Sequence, residues 1–208
     1  MPRSGVDDRN APEEPVVEIV VPFQDGRLTP PPRERVRALM RHLIEALREL
    51  GEARRPDRLI QPRAPEATGF AGEVVRAGCG LCRGFCCTRG GTHAYLDHRT
   101  MARVRAERPD ADARTILRRY AEAVAPLGYE GSCLFHGASG CTLARPWRSE
   151  LCNSYHCSGL EDVLQRRDEV LAVRITSSTL RMSGGSCVVQ AVPGAGGGAY
   201  DDALQRQG

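Results

Sequence analysis

The sequence predicts a mainly α-helical, cysteine-rich domain that is stabilised by metal and carries one small β-hairpin. Three observations lead to this fold class. The chain has 208 residues and nine cysteines, eight of which fall between residues 79 and 157. Segments with helical periodicity flank and separate these cysteines. In residues 132–143, two short segments surround a Gly-Ala-Ser-Gly turn, which is typical of a hairpin.

The composition argues against several classes of function. The formal net charge is only +3, which gives no broad electrostatic attraction for nucleic acid. All 29 basic residues are arginine, so the chain has neither a Schiff-base lysine nor a P-loop lysine. The polar N-terminus lacks the apolar core of a signal peptide, and no apolar run approaches the roughly 20 residues of a membrane helix. We therefore expect a cytoplasmic protein without a membrane partner.

The N-terminal quarter is predicted to begin with disorder and to continue as a strand and a helix. Residues 1–15 are polar and have no periodicity. Region 16–55 then holds a β-branched run, "VVEIVV", and a helix with Thr29 as its cap and Gly51 as its stop. The apolar residues of this helix recur at three- and four-residue steps and form one stripe. We expect the stripe to pack within its own domain, and the alternative is a protein partner or homodimer through helix 31–50.

The rest of the chain divides by composition into three parts. Residues 56–69 are rich in Arg, Pro and Glu and are predicted to be a linker. Residues 70–192 form the predicted cysteine-cluster metal-binding domain. Residues 193–208 are Gly-rich and are predicted to be a flexible tail.

Helices are predicted between and after the two groups of cysteines. The segments 97–107 and 111–125 lie between the groups, with Asp97 and Asp110 as their caps. A further helix is predicted over 158–173, and "AVRITSSTLRM" is predicted to be a strand. These short helices need the cysteine loops to hold them together.

The cysteine spacing predicts metal binding. The pattern is C-x2-C-x3-C-C, then a gap of 45 residues, then C-x7-C-x10-C-x4-C. Cytosolic thiols are kept reduced, so dense cysteine there favours metal or redox chemistry over disulfides. Thiolates are soft donors that select zinc, copper(I) or an iron–sulfur cluster. The predicted metal ligands are Cys79, Cys82, Cys86, Cys87, Cys133, Cys141, Cys152 and Cys157.

Eight thiols allow several arrangements, which the spacing leaves open. They suffice for two tetrahedral zinc sites, for one [4Fe–4S] cluster with four thiols left over, or for two clusters. Neighbouring side chains on an extended backbone point to opposite sides. Cys86 and Cys87 therefore favour two different centres, or one binds metal while the other packs. The ninth cysteine, Cys187, is expected to be a buried apolar thiol.

Other side chains near the cysteines are candidates for supporting roles. His136 and His156 lie close in sequence to Cys133 and Cys157, as ligands or as hydrogen-bond donors to a thiolate. His93 is a weaker candidate of the same kind. Arg145 and Arg148 flank the only tryptophan and are expected either to offset thiolate charge or to be solvated.

The segments "CGLCRGFCC" and "GSCLFHGASGCTLARPWRSELCNSYHC" resemble the YkgJ-type cysteine cluster family, described as a zinc- or iron-chelating CxxCxxCC domain. The shared features are the cluster ending in a Cys pair, the C-T-L-x-R-P segment and the closing C-x-x-Y-x-C. The resemblance covers roughly residues 75–160 and implies that the eight cysteines chelate iron or zinc. A flagellin lysine methylase shares a similar domain, linked to an iron–sulfur cluster.

One departure from that pattern concerns the Cys pair. The family name implies two residues before the pair, whereas Arg83, Gly84 and Phe85 precede it here. The added residue rotates the pair relative to Cys82, so which of Cys86 and Cys87 is a ligand stays open.

Three functions follow from these observations. The first is a metal-binding protein that chelates iron, as an iron–sulfur cluster, or zinc. The second is an iron–sulfur-dependent redox or group-transfer enzyme, although no nucleotide or S-adenosylmethionine loop is recognisable. The third is a zinc-ribbon-like interaction module, which the x7, x10 and x4 gaps of the second half disfavour because ribbons use two C-x2-C knuckles.

Overall fold

The computed structural model describes residues 16–60, 62–166, 172–178 and 183–190. The predictions of disorder at 1–15 and of a flexible tail at 193–208 lie outside these residues. The helices are α1 (Arg33–Glu52), α2 (Gly69–Cys82), α3 (His98–Ala106), α4 (Ala113–Glu122), α5 (Glu150–Ser154) and α6 (Ser158–Gln165). The strands are β1 (Val16–Pro22), β2 (Leu28–Thr29), β3 (Gly128–Tyr129), β4 (His136–Gly137), β5 (Gly140–Cys141), β6 (Ala172–Ser178) and β7 (Ser183–Gln190). Short 3-10 turns span Pro56–Leu59, Phe85–Arg89 and Arg145–Trp147.

The first of two apolar cores, the helical core, lies among α1, α3, α4 and the β4–β5 hairpin. The stripe predicted on α1 is buried in it, with Leu39 and Leu43 fully inaccessible. Tyr120 and Phe135 fill its centre with their rings 6.2 Å apart. The stripe is therefore used within the chain, and a partner or homodimer through this helix stays a prediction.

The second core, the sheet core, lies between a three-stranded sheet and helices α2 and α6. Strand β6 is central, with β1 parallel to it on one side and β7 antiparallel on the other. In β1, Ile19 and Val21 face inward while Val20 is exposed, the alternation of a sheet with one covered face. Val74 of α2 and Leu160 of α6 close this core from the other side.

The predicted hairpin in 132–143 is confirmed. Strands β4 and β5 pair antiparallel, with His136 opposite Cys141 and Gly137 opposite Gly140. The hairpin extends a small sheet in the order β2-β3-β4-β5. This arrangement holds Cys133 and Cys141 at the start and end of one compact loop.

Two of the predicted helix boundaries needed correction. The cap at Asp97 is confirmed, because its carboxylate accepts the Thr100 amide at 2.8 Å. The second cap is Asp112 instead of Asp110, since its carboxylate accepts the Thr115 amide at 2.7 Å while the preceding residues form a turn. The helix predicted over 158–173 ends at Gln165.

The first helix also differs from its predicted ends. It begins at Arg33, after the proline run, instead of at Thr29. Gly51 is exposed and lies inside the last turn, and the helix continues through it to Glu52, so Gly51 does not stop the helix.

The fold is therefore mixed α/β in coarse terms, with more helix than strand. The mainly-α expectation had a hairpin as its only sheet and missed β7 and the parallel pairing of β1 with β6. Residues of region 16–55 and of region 70–192 pack together in each of the two cores. Residues of the predicted linker contact the cysteine region, since the Ala64 carbonyl accepts a hydrogen bond from Arg145 at 3.2 Å. No helix in the described part of the chain has the length and apolar character needed to cross a bilayer.

Candidate metal centre

The eight predicted ligands lie on the segments that join the two cores. Cys79 and Cys82 occupy the last turn of α2, three residues apart and hence on one face of the helix. Cys86 and Cys87 follow on the 3-10 turn Phe85–Arg89. All nine cysteines of the chain are free thiols. The arrangement leaves every one of them available for metal or redox chemistry.

The end of α2 is shaped around the Cys82 sulfur. Arg83 and Gly84 both adopt left-handed backbone conformations, with φ of 52° and 72°. This reversal turns the Phe85 amide back toward α2, and it donates a hydrogen bond to Cys82 Sγ at 3.3 Å. Burial raises the pKa of the Cys82 thiol, and the amides of Phe85 and Gly84 partly offset that rise. Amide donors of this kind stabilise a thiolate when it binds a cation.

The second cysteine segment is attached directly to the first. The Cys133 amide donates to the Cys87 carbonyl at 3.0 Å, and so does the amide of Gly90. Gly90 lies so close that a β-carbon there would stand 3.0 Å from Cβ and 3.4 Å from Sγ of Cys133. A larger side chain at this position would crowd Cys133, so Gly90 lets residues 87–90 pack close to it.

The last two predicted ligands lie at helices α5 and α6. The Ser149 hydroxyl caps α5 by accepting the Cys152 amide, and the Cys152 thiol donates to the Ala94 carbonyl at 3.7 Å. Cys157 occupies the N-cap position of α6. A β-carbon at Gly78 of α2 would stand 2.7 Å from Leu160 Cδ2, so the first turns of α6 lie directly on the last turns of α2.

The thiols influence one another in two sets. Burial, together with the nearby thiols of Cys86, Cys82 and Cys157, raises the pKa of Cys79 to about 12. Burial likewise raises the pKa of Cys133 to about 12, with further contributions from Cys141 and Cys152. Like charges raise each other's pKa only when they are close, so each set is a spatial neighbourhood.

The adjacent pair is asymmetric. A hydrogen bond from the Cys87 thiol lowers the pKa of Cys86 to about 7, and the backbone amides of both residues assist. The same hydrogen bond raises the pKa of Cys87, and burial with the nearby thiols of Cys133 and Cys141 raises it further. The two neighbours in sequence therefore have different chemical surroundings.

His136 ties the two cysteine segments together. It is fully buried, its Nδ1 accepts from the Ser132 hydroxyl at 2.8 Å, and its Nε2 donates to the Arg83 carbonyl at 2.7 Å. Burial lowers its pKa, which favours the neutral ring that this pair of bonds requires. Both ring nitrogens are occupied, so the structure places His136 as a cross-link between segments instead of a ligand.

The other two histidines occupy different positions. His156 is half-buried beside Cys157, and burial lowers its pKa. His93 is exposed and stacks on His42 with ring centres 4.0 Å apart. Both stay candidates for supporting roles.

Arginines lie close to both sets of thiols. Arg148 is near enough to Cys79 and Cys152 to lower the pKa of each in opposition to burial. Arg145 instead bonds the Ala64 and Asn153 carbonyls. Arg35, which the sequence gave no reason to select, donates to the Ser132 carbonyl at 2.6 Å. Its charge lowers the pKa of Cys133, in opposition to burial.

Cys187 stands apart from these groups. It lies on β7 opposite Ile175, half-buried against the sheet core. This position fits the buried thiol that the sequence predicts.

The cysteine sulfurs lie near one another but do not form a coordination sphere. Within residues 16–60, 62–166, 172–178 and 183–190, no three His, Cys, Asp or Glu side chains are already arranged to hold one metal ion. Comparisons with protein-family models, with curated proteins and with solved structures find no match. The resemblance to the YkgJ-type family therefore stays a prediction.

Proposed function

We propose that this chain is a metal-binding protein that chelates iron, as an iron–sulfur cluster, or zinc. The ligands are Cys79, Cys82, Cys86, Cys87, Cys133, Cys141, Cys152 and Cys157. The observation that supports this most is the contact between the two cysteine segments, where the Cys133 amide bonds the Cys87 carbonyl. Ligands separated by 45 residues of intervening chain thereby meet at the junction of the two cores.

The surroundings of the thiols suit a soft cation. The donors are all sulfur, which zinc and iron–sulfur clusters prefer. Amides point at the Cys82 sulfur, and Arg148 and Arg35 offset negative charge on the two sets of thiols. A bound zinc ion would supply cross-linking of the segments, and a cluster would add one-electron transfer. In either case α2, α5, α6 and the hairpin hold the thiols in place.

The decisive experiment is anaerobic purification followed by a visible absorbance spectrum and metal and sulfide analysis. A broad brown absorbance with iron and acid-labile sulfide identifies a cluster. A colourless protein that holds zinc identifies structural zinc sites. If the purified chain holds neither metal, and neither zinc nor iron with sulfide can be loaded into it, the proposal is wrong.

The ninth cysteine provides a matched control. Cys187→Ser removes a half-buried thiol from β7 and should leave the metal content unchanged, because Cys187 lies outside both sets. Cys133→Ser removes a buried thiol at the segment junction and should lower the metal content. Equal metal content in both variants would contradict the assignment of the ligands.

One observation favours the redox or group-transfer enzyme as a second candidate. A cleft of about 560 Å³, within the range of small-molecule sites, is lined in part by the residues that precede Cys152 in sequence. Its lining includes His42, His93, Arg99, Ser149 and Glu150. The Ala94 carbonyl that contacts Cys152 lies on the same loop, so a molecule bound in the cleft would be close to that thiol.

This second candidate has its own test. A cluster that works in electron transfer should bleach with dithionite and recover with a mild oxidant, and the change should be reversible over several cycles. A protein that holds only zinc would show no such change, and the enzyme alternative in its iron–sulfur form would then be excluded. The zinc-ribbon-like interaction module stays a prediction from the sequence.

A further inference from the structure

We propose that the eight cysteines form two separate four-thiol centres, divided between Cys86 and Cys87. The first centre consists of Cys79, Cys82, Cys86 and Cys157. The second centre consists of Cys87, Cys133, Cys141 and Cys152. This inference rests on the proposed metal binding and goes beyond it, because it states how many centres there are and which core each one stabilises.

The first centre belongs to the sheet core. Cys79 and Cys82 share one face of the last turn of α2, and Cys157 caps α6, which lies on α2 at the contact between Gly78 and Leu160. Cys82 and Cys157 both pack with the sheet core. Two helices therefore present three thiols toward each other across one short interface.

The second centre belongs to the helical core. Cys87, Cys133 and Cys141 all pack against that core, and the Cys133 amide bonds the Cys87 carbonyl. In the hairpin, Cys141 pairs with His136, which follows Cys133 by three residues. The hairpin therefore brings Cys141 back close to Cys133.

Cys152 reaches the second centre through a chain of contacts. Its thiol donates to the Ala94 carbonyl, the Ala94 amide bonds the Gly90 carbonyl at 2.9 Å, and a β-carbon at Gly90 would stand 3.4 Å from Cys133 Sγ. This short path places α5 on the side of the Gly90 turn where Cys133 lies.

The adjacent pair is the point of division. Cys87 is half-buried and packs against the helical core, whereas Cys86 is exposed and belongs to neither core. Cys86 is close to Cys79 and Cys82. Cys86 also raises the pKa of Cys152, so the two centres are neighbours. The two thiols are hydrogen-bonded neighbours on the 3-10 turn Phe85–Arg89, yet only Cys87 packs against the helical core, so each can join a different centre.

The first experiment counts centres in the anaerobically purified protein. Two centres predict about two zinc ions per chain, or about eight irons and eight sulfides if both centres are [4Fe–4S] clusters. Titration of the reduced, metal-free chain with Co²⁺ should reach its endpoint at about two equivalents. One zinc, four irons or a Co²⁺ endpoint at one equivalent would overturn the division while leaving metal binding intact. A chain that takes up no metal at all would instead refute the proposed function.

The second experiment uses the neighbours as controls for each other. Cys86→Ser should halve the metal content and speed hydrogen exchange in α2 and α6. Cys87→Ser should also halve the metal content but speed exchange in the hairpin over 133–141. Cys187→Ser should change neither quantity. If Cys86→Ser and Cys87→Ser lose all metal or expose the same elements, the eight thiols act as one centre and the inference is wrong.

A spectroscopic measurement covers the case in which these variants fail to fold. X-ray absorption of the zinc-loaded wild-type chain should show about four sulfur neighbours per zinc and no second zinc at bonding distance through a shared thiolate. A short zinc–zinc distance would mean that the centres share ligands and would contradict the division.

Discussion

The helical core and the sheet core differ in how much apolar side chain holds them together. Among the described residues, the helical core buries 17 residues, including Tyr120, Phe135 and four leucines of α1. The sheet core buries eight, and most of them are valine or isoleucine. Since apolar burial is the main favourable term in folding, the sheet core would have the smaller reserve against the loss of the proposed thiol–metal bonds.

Among the changes considered, removal of metal should have the largest effect, and it should raise hydrogen exchange more in the sheet core than in the helical core. We expect chelation to raise hydrogen-exchange rates in α2, α6 and β6 by about 100-fold or more, because their core is small. Exchange in α1, α3 and α4 should rise by roughly tenfold or less. Hydrogen exchange with mass spectrometry on the loaded and stripped protein measures both. Equal loss of protection in the two regions would show that the two cores do not differ in their dependence on metal.

A smaller but clear effect is expected at the junction between the regions. Gly84 has φ of 72°, and a β-carbon there would stand 2.7 Å from His136 Nε2, within the cross-link to the Arg83 carbonyl. Gly84→Ala should lower the free energy of unfolding by about 2 kcal/mol or more, through backbone strain and the displaced histidine. Denaturant unfolding of the metal-loaded protein measures this loss.

Gly80→Ala is the matched control for that substitution. Gly80 lies in α2, and a β-carbon there would meet no atom within 4 Å, so alanine should be neutral or should stabilise by about 0.5–1 kcal/mol. A similar loss in both variants would show that the helix, and not the histidine cross-link, is the sensitive element.

Individual thiols should also differ in reactivity when metal is absent. The pKa of Cys86 is lowered to about 7, whereas burial raises those of Cys79 and Cys133 to about 12. The thiolate fraction of Cys86 rises as pH passes through about 7, so alkylation by iodoacetamide should begin there and reach half its maximal rate near that pH. Peptide mapping after brief labelling measures the order, and earlier labelling of Cys133 would contradict it.

The smallest effect is expected from the ion pair on the outer face of the sheet. Glu18 and Arg174 stand opposite each other in β1 and β6, 3.1 Å apart, with 70% and 51% of their side chains exposed. Exposed pairs contribute about 0–1 kcal/mol, so Glu18→Gln should change the free energy of unfolding by about 0.5 kcal/mol or less. A larger loss in thermal or denaturant unfolding would mean that the sheet depends on charge more than on its apolar face.

Local signals in the sequence located most helices but not the sheet. Periodicity identifies α1, and the Asp97 cap identifies the start of α3, because both depend on residues within one or two turns. The parallel pairing of β1 with β6 joins segments about 150 residues apart, and no local pattern specifies it. Strand β7 begins with Ser-Gly-Gly-Ser, which is typical of a loop, so its pairing with β6 decides its conformation.

The same distinction applies to the site. Cysteine spacing is sufficient to nominate eight residues, because C-x2-C steps and paired cysteines are dense and unusual. Spacing cannot show that His136 bonds the Arg83 carbonyl or that Arg35 reaches Ser132, since each contact depends on how α1, α2 and the hairpin pack. Sequence neighbours also mislead, because Arg145, close to the cysteines in sequence, makes its bonds to Ala64 and Asn153.

The parallel pair of β1 with β6 has a consequence for the order of assembly during synthesis. Every element of the helical core, from α1 to the segment around Trp147, is synthesised before β6. Strand β1 must wait for a partner made about 150 residues later, and contacts of such long range form slowly. The growing chain therefore holds Cys79 and Cys82 next to an unfinished sheet while the hairpin cysteines already have their scaffold. If metal binds as proposed, we expect it to reach the hairpin thiols before it reaches Cys79 and Cys82.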